Sequence, residues 1–221
     1  TVLGCYSLGT HNIIDTDECL IQHETNNVIV RQVRQVITSL GIDPYDEATG
    51  EGVVRHVLGR VGTASGEVMV VLVTAVWELP HKDKIIDSLK RNIPGIVSIV
   101  QNVNRRKTNV ILGDHTKTLW GRDTITDKLG DFTFHISALS FFQVNTAQAK
   151  VLYDKAAQYA GLTGSETVID AYCGTGTITL FLARQAAKVY GIEVVEPAVL
   201  DARRNAADNG VEVEASDVDY L

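Results

Sequence analysis

Two glycines and two carboxylates follow consecutive predicted strands in the C-terminal third of the chain. The passage VIDAYCGTGTITL, residues 168–180, places Asp170 at the end of a strand and Gly174 and Gly176 in the turn that follows. Glycine backbone lets a ligand approach closely, and the N-terminus of the next helix offers unpaired N–H groups. Glu193 ends the next strand, where its carboxylate is placed to accept both hydroxyls of a ribose. The pattern predicts a site for an adenosine-containing ligand.

The residues around this turn favour one cofactor over another. Thr179 stands where a dinucleotide fingerprint has its third glycine, so the turn is not built for close packing against a pyrophosphate. An amino-acid tail with a sulfonium cation suits the acidic surroundings better, and Asp170 is placed to receive its ammonium group directly or through water. The predicted cofactor is S-adenosylmethionine, with an ordinary glycine turn as the alternative. Cys173, inside the turn, is interpreted as a small buried residue rather than a nucleophile.

Helices and strands alternate around these residues. The periodicity predicts helices over 145–160, 176–187 and 196–208, and strands over 167–170, 189–193 and 212–215, the first of them buried. Such alternation indicates an α/β fold with a parallel sheet. Three strands are fewer than the usual five to seven of a doubly wound domain, so we expect a truncated class I methyltransferase (Rossmann-like) sheet in residues 136–221.

The first 135 residues have a different pattern, which predicts a smaller α+β central domain. Helical spacing appears at 27–41 and 80–92, and Val-rich runs at 53–61 and 67–76 predict a hairpin. Short strands are expected over 96–103, 108–113, 117–121, 124–128 and 131–136. We therefore place the domain boundary between residues 135 and 136.

Composition limits the class of protein. The 221 residues are 45% hydrophobic and 21% charged, no apolar run is long enough to span a membrane, and no signal peptide is visible. Three scattered cysteines do not form a disulfide scaffold, so a cytoplasmic location and no membrane partner are expected. The net charge of −7 divides into −2 for residues 1–135 and −5 for residues 136–221. Negative charge disfavours binding of nucleic acid, so residues 1–135 are the better candidate for an RNA contact.

Several short motifs carry a resemblance to a known family. SFFQVN at 140–145, DAYCGTGT at 170–177, VYGIE at 189–193 and RNAADNG at 204–210, in this order and spacing, resemble the RNA uracil-5-methyltransferases. The likeness extends upstream through GVVRHV at 52–57 and related segments, and it covers essentially the whole chain. The resemblance implies S-adenosylmethionine-dependent methylation of carbon 5 of a uridine in RNA, with 23S rRNA favoured over tRNA.

The resemblance also implies roles for individual residues. Gln143 matches a glutamine at the cofactor and target pocket, Tyr172 and Thr177 match positions that line the cofactor, and Asp217 matches a polar residue near the adenine. Cys19 matches the fourth ligand of an iron–sulfur cluster in cluster-containing members, with its three partners expected upstream of Thr1, so the cluster is expected only in a full-length protein. The basic residues expected to contact RNA in the central domain are Arg55, His56, Arg105, Arg106 and Lys107.

The chain also departs from the family pattern. The family's nucleophilic cysteine and its glutamate base are expected beyond Leu221, and its N-terminal RNA-binding barrel is not visible, so this chain alone is expected to be an inactive monomer. No catalytic residue is assigned within it. Two alternatives are a different class I methyltransferase and a non-catalytic RNA-binding module; the first is disfavoured by SFFQVN and the second by the intact turn with Glu193.

Overall fold

The computed structural model describes residues 1–212 and 214–217, and it describes side chains for residues 1–212. The chain forms two compact units. The first contains Thr1–Val61 and Gly66–Ile125, and the second contains Gly62–Ser65 and Thr126–Leu221. This division falls earlier in the chain than the boundary expected at 135/136.

The first unit combines two helices with a four-stranded sheet and a separate hairpin. Its elements are β1 (Gly4–Tyr6), β2 (Ile13–Asp15), α1 (Glu24–Ser39), β3 (Val54–Val61), β4 (Val68–Thr74), α2 (Lys82–Asn92), β5 (Ile96–Val103) and β6 (His115–Gly121). The sheet order is β3-β4-β5-β6. β4 and β5 run parallel because α2 connects them, whereas the other two pairs are antiparallel. The predicted hairpin of β3 and β4 is confirmed, with Val57 opposite Leu72.

The core of this unit is formed by apolar side chains of α1 and of the sheet. Ile29, Val33 and Ile37 recur at helical spacing along α1 and are almost completely buried. Val70 and Leu72, two residues apart on β4, belong to the same apolar cluster. Burial of these side chains is the main driving force that holds the helices on the sheet.

The strand predicted over 108–113 is wrong, because two buried asparagines hold this segment as a loop. The side-chain amide of Asn104 donates to the carbonyl oxygens of Val110 at 2.6 Å and Ile111 at 3.0 Å. Asn102 binds both backbone groups of Gly113, at 2.9 Å and 2.7 Å. The backbone groups of the loop are thus satisfied without a neighbouring strand.

The described part of the second unit forms a hairpin and a three-stranded parallel sheet with three helices. Its elements are β7 (Thr124–Leu129), β8 (Phe132–Ser137), α3 (Thr146–Ala160), β9 (Thr167–Ala171), α4 (Thr177–Ala183), β10 (Lys188–Glu193), α5 (Glu196–Asp208) and β11 (Glu214–Asp217). The sheet order is β11-β10-β9, and both pairings are parallel. The predicted α/β alternation with a parallel sheet is confirmed.

Two local predictions for this unit are wrong. α4 ends at Ala183 rather than near 187, because the N–H of Ala187 donates to the carbonyl oxygen of Glu166 at 2.9 Å and turns the chain into β10. β9 is not buried: its side chains alternate in exposure, and Ile169 is 64% exposed. β9 lies at one edge of the described sheet, and no described strand pairs with its outer side.

The β7–β8 hairpin belongs to the second unit because it is bonded to α5. The side-chain oxygen of Asn205 accepts from the N–H of His135 at 2.7 Å, and Asn209 bonds both backbone groups of Thr133, at 2.9 Å and 2.6 Å. These contacts explain why the structural division falls near the start of the hairpin, inside β7, rather than after it. No helix in the described part of the chain is long and apolar enough to cross a bilayer.

Candidate cofactor site

The glycine turn and the acidic residue of the next strand meet at one edge of the parallel sheet. β9 and β10 are adjacent and parallel, so their carboxyl ends lie side by side. The backbone N–H of Gly174 donates to Oε2 of Glu193 at 3.0 Å. The two residues therefore share one edge of the sheet, as expected from the sequence, and they are in direct contact.

Glu193 accepts three backbone hydrogen bonds. Besides Gly174, the N–H groups of Val194 and Val195 donate to Oε1 at 2.8 Å and 3.0 Å. A carboxylate offers about four acceptor positions, so these bonds leave one position, on Oε2. Two ribose hydroxyls can both bind this carboxylate only if a backbone bond lengthens.

Asp170 is fixed at the end of β9 by a hydrogen bond from Thr179 on α4. The hydroxyl of Thr179 donates to Oδ2 at 2.5 Å, and Thr179 is buried. Burial raises the pKa of Asp170, and the bond from Thr179 opposes the rise only in part. A carboxylate held in partly desolvated surroundings interacts strongly with a cation that reaches it.

Cys173 is packed under the turn rather than presented to a ligand. Its N–H donates to the carbonyl oxygen of Ile192 at 2.9 Å, and the side chain is buried. Burial, with the charges of Asp170 and Glu193, raises the pKa of the thiol to about 11. The thiol therefore stays protonated at neutral pH and is a poor nucleophile. Gly191 is required beneath it, because a Cβ there would lie 2.9 Å from the sulfur.

The turn has an open side and an unusual backbone. Gly174 and Gly176 have φ of 55° and 81°, and a Cβ added to Gly174 would meet no atom within 4 Å. Tyr172 also has a positive φ, 68°, and its side chain is 86% exposed. A left-handed conformation at a non-glycine residue costs on the order of 1–3 kcal/mol and is common at ligand sites. These residues fit a group that approaches the bare backbone of the turn.

The other sequence-predicted residues lie at different distances from the turn. The hydroxyl of Thr177 is 3.2 Å from that of Tyr153 on α3. Gln143 lies in the segment before α3, half-buried, and no hydrogen bond among the described residues links it to the turn. The backbone of Asp217 pairs with Glu193 across β10 and β11. Its side chain lies outside the described residues.

Sequence reasoning missed one residue that supports the turn. Asn205 is fully buried on α5, and its side-chain amide donates to the carbonyl oxygen of Thr175 at 3.0 Å. Its oxygen accepts from β8, so a single side chain connects the turn to the hairpin. An asparagine in the middle of a predicted helix is the signal that indicates such a role, because it is a poor interior residue without partners.

Two of the five residues expected to contact RNA are engaged within the first unit. The guanidinium of Arg55 lies over the ring of Tyr45 at 4.4 Å and donates to the carbonyl oxygens of Asn104 and Arg106, at 3.0 Å and 2.6 Å. Burial and the charge of Arg55 lower the pKa of His56, which is therefore neutral at pH 7. The guanidinium of Arg55 is therefore already bonded within the unit, and the neutral ring of His56 offers no positive charge to a phosphate.

The remaining three residues lie in the loop after β5. Arg106 is paired with the carboxylate of Asp114. Arg105 and Lys107 are exposed, and among the described residues neither takes part in an ion pair. An exposed cation without a partner is the better candidate for a phosphate contact, although RNA binding by any of the five stays a prediction.

Cys19 does not lie in a metal site within the described residues. Its N–H donates to Oδ1 of Asn27 at 3.0 Å. Cys19 and Cys5 both line a cavity of about 210 Å³. No three His, Cys, Asp or Glu side chains in the described part of the chain come together as a metal site. These residues alone do not fit an iron–sulfur cluster, which needs four ligands.

Comparisons with known proteins place this geometry in context. Residues 162–220 match a family described as a methyltransferase domain. A protein of Halalkalibacterium halodurans named as an uncharacterised RNA methyltransferase is 56% identical over 209 residues, which are 95% of this chain and 46% of that protein. A protein of Clostridium tetani with the same description is 46% identical over 99% of this chain and 47% of its own length. Over almost its whole length, the chain is therefore similar to about half of each of these proteins named as RNA methyltransferases.

A solved structure agrees with this similarity. The tRNA (uracil-54, C5)-methyltransferase of Pyrococcus abyssi, in complex with S-adenosyl-L-homocysteine, superposes with a TM-score of 0.79 and is 31% identical. The match covers 94% of this chain and 50% of that chain. The chain thus spans about half the length of the relatives it matches. Its fold is part of the class I methyltransferase fold, close to the structure of a chain named as a uracil-5 enzyme.

Proposed function

We propose that the parent protein transfers a methyl group from S-adenosylmethionine to carbon 5 of a uridine in RNA, with 23S rRNA the favoured substrate. The support is the similarity to proteins named as RNA methyltransferases and to a structure named as a uracil-5 enzyme. In this proposal residues 136–221 hold the cofactor and residues 1–135 form a central domain that contacts RNA. The name of the solved structure refers to tRNA, so tRNA is the alternative substrate.

The observation that carries the proposal is the bond between Gly174 and Glu193. It places an open stretch of glycine backbone beside a carboxylate, where an adenosyl group needs both. Asp170 beside the turn would repel a pyrophosphate, whereas it attracts a cationic sulfonium and an ammonium. The site therefore favours S-adenosylmethionine over a dinucleotide.

The proposed roles follow from position and chemistry. The bound cofactor supplies an electrophilic methyl group attached to a sulfonium. Glu193 accepts a ribose hydroxyl on the free position of Oε2, and Asp170 receives the ammonium of the amino-acid tail. Further cofactor contacts are proposed for the remaining residues assigned from the sequence: Gln143, Tyr172, Gly174, Gly176, Thr177 and Asp217.

Activation of the uracil requires a nucleophile that this region does not offer. Carbon 5 of uracil becomes reactive after a thiolate adds to carbon 6, and a base must later remove the carbon 5 proton before the thiolate leaves. Cys173 is unsuited, because its thiol is buried and has a pKa of about 11. We propose that the cysteine and the base belong to the part of the parent protein that this chain does not span. The target base must also leave its stack to reach the pocket.

The cofactor role can be tested by titrating the chain with S-adenosylmethionine in a calorimeter. We expect binding by the wild-type chain and a roughly 10- to 100-fold loss of affinity in Glu193→Ala, the effect of removing a hydrogen bond to a charged group. Glu193→Gln should lie between them, because its amide oxygen can still accept a bond.

Glu196→Ala is the matched control. Glu196 is exposed at the start of α5, three residues from Glu193, and no ribose role is proposed for it. Its loss should leave affinity within about twofold. Equal affinity of Glu193→Ala and the wild type, with both variants folded by circular dichroism, contradicts the proposed ribose contact.

A further inference from the structure

A small cavity in the first unit lies beside an exposed tryptophan. The cavity has a volume of about 160 Å³ and is lined by the loop after β4, the end of β5 and the start of β6. An engineered cavity of about 150 Å³ in another protein accommodates benzene, so this volume suits one planar ring. The residues that line it and are used below are Trp77, Asn104, Arg105, Arg106 and His115.

The walls of the cavity are aromatic on one side and cationic on another. Trp77 is 46% exposed, and its ring centroid lies 4.9 Å from that of His115 at an angle of 57°. Arg105 is exposed and takes part in no ion pair among the described residues. Asp114 also lines the cavity, but its carboxylate is paired with Arg106 and so does not neutralise Arg105.

The loop that carries Trp77 is held rigidly. The side-chain amide of Gln101, a fully buried residue, donates to Oγ1 of Thr74 at 2.7 Å and to the carbonyl oxygen of Val76 at 3.0 Å. Nζ of Lys117 donates to the carbonyl oxygen of Trp77 at 2.8 Å. Because these bonds fix the backbone of the loop, Trp77 presents its indole from a fixed position, and less conformational entropy is lost when the ring binds a ligand.

We propose that this cavity binds one nucleobase of single-stranded RNA, stacked on the indole of Trp77 beside His115, with a backbone phosphate at Arg105. Aromatic rings interleaved with unpaired cations are the recurring means by which proteins hold single strands. The inference rests on the proposed function, because it supplies a substrate contact for the same RNA. It shifts the expected contact away from Arg55, which is bonded internally, and from the uncharged His56. The contact is expected instead at Trp77, His115 and Arg105.

Tryptophan fluorescence tests the stacking directly. The chain contains two tryptophans, Trp77 and Trp120, so Trp120→Phe leaves Trp77 as the only indole. Titration of that variant with a single-stranded oligouridylate should quench its emission, and excess double-stranded RNA of equal length should quench it much less. Absence of quenching when the oligonucleotide is bound by filter assay overturns the proposal.

Substitution separates the base contact from the phosphate contact. Trp77→Leu should weaken oligouridylate binding by about 5- to 100-fold, the range found for loss of one base–aromatic stack. Arg105→Gln should reduce the slope of log affinity against log salt by roughly 0.7, the value for one phosphate of a single strand. Arg91→Gln is the matched control, because Arg91 is exposed on α2, outside the cavity, and should leave the slope unchanged.

The outcomes distinguish this inference from the proposed function. Wild-type affinity for the oligonucleotide in both Trp77→Leu and Arg105→Gln overturns the cavity as an RNA site but leaves cofactor binding by the second unit intact. The effect of Glu193→Ala on S-adenosylmethionine binding tests the cofactor site alone and does not depend on the RNA measurements. Failure of the wild-type chain to bind any RNA counts against both the cavity and the RNA role of the central domain.

Discussion

Asp170 keeps a carboxylate in surroundings that disfavour its ionised form. Its pKa is raised above the ordinary value of 3.8 because the side chain is partly buried. A native carboxyl with a raised pKa holds its proton more tightly than the unfolded chain does. The free energy of unfolding therefore falls as the pH rises from 3.8 through the native pKa, and it stays lower above that window. The ionised carboxylate of Asp170 therefore lowers the free energy of unfolding at neutral pH, and a bound cation would restore it.

We predict that Asp170→Asn is more stable than the wild-type chain at pH 7. An amide of the same shape removes the ionisation penalty, and its oxygen can still accept the bond from Thr179. The gain in melting temperature should shrink as the pH is lowered from 7 towards 4, where the wild-type carboxyl takes up its proton. Calorimetric melting at several pH values measures both effects.

A matched substitution serves as the control for this experiment. Asp154→Asn changes an exposed carboxylate on α3 that pairs with Lys150, and we expect an effect within about 0.5 kcal/mol. A loss of stability in Asp170→Asn at pH 7 contradicts the proposed penalty. The same variant should bind S-adenosylmethionine more weakly, because the ammonium loses its counter-charge.

Residue types at the site were predictable, but their bonding was not. The positions of Asp170, Gly174 and Glu193 after consecutive strands were enough to place them at one edge. The three N–H groups on Glu193 depend on how the backbone turns at 194 and 195, and no local pattern specifies that turn. Thr179 was noted for the glycine that it replaces, and its bond to Asp170 appears only in three dimensions.

At the level of elements, α5 joins the glycine turn to the β7–β8 hairpin. Asn205 is the common point, since its amide donates to Thr175 and its oxygen accepts from His135. Asn209, one helical turn further along, bonds Thr133 in the same way. The position of the glycine turn therefore depends partly on a hairpin that is distant in sequence.

We predict that Asn205→Ala destabilises the second unit by roughly 2–4 kcal/mol. The substitution leaves one buried N–H and one buried carbonyl without partners, and each orphaned group costs about 1–3 kcal/mol. Amide hydrogen exchange at His135 should accelerate by the corresponding factor, because that N–H loses its acceptor.

Asn92→Ala provides the comparison. Asn92 is an exposed residue in the last turn of α2, where its amide bonds only the carbonyl oxygen and hydroxyl of Ser88. Its replacement should change stability by less than about 0.5 kcal/mol and leave exchange at His135 untouched. Unchanged exchange at His135 in Asn205→Ala would show that α5 does not hold the hairpin in place.

Helices with a regular apolar periodicity could be predicted from the sequence. Segments whose conformation depends on side-chain hydrogen bonds could not. α1, α3 and α5 match their predicted ranges closely, because each buries a regular apolar stripe. The 108–113 segment was predicted as a strand from its apolar residues, yet buried asparagines keep it as a loop. The β1–β2 hairpin was missed, since its three-residue strands are exposed and carry no alternation.

At the scale of the whole molecule, the distribution of charge follows the proposed division of roles. The −5 charge of residues 136–221 suits a cationic cofactor, whereas residues 1–135 carry only −2 and contain the basic loop after β5. Net charge alone disfavours RNA, so recognition must depend on local groups such as Arg105. The boundary at 135/136 remains a prediction, and the compact units divide at 125/126.

The outer side of β9 has a further consequence for handling the chain at high concentration. A strand edge with no partner among the described strands and with exposed apolar side chains such as Ile169 is a template for strand addition by another molecule. We predict concentration-dependent aggregation, which Ile169→Lys suppresses by placing a charge on the edge, as sedimentation velocity can measure. Leu152→Lys, an equally exposed apolar site on a helix, should not suppress it. A chain that stays monodisperse at millimolar concentration would show that this edge is not adhesive.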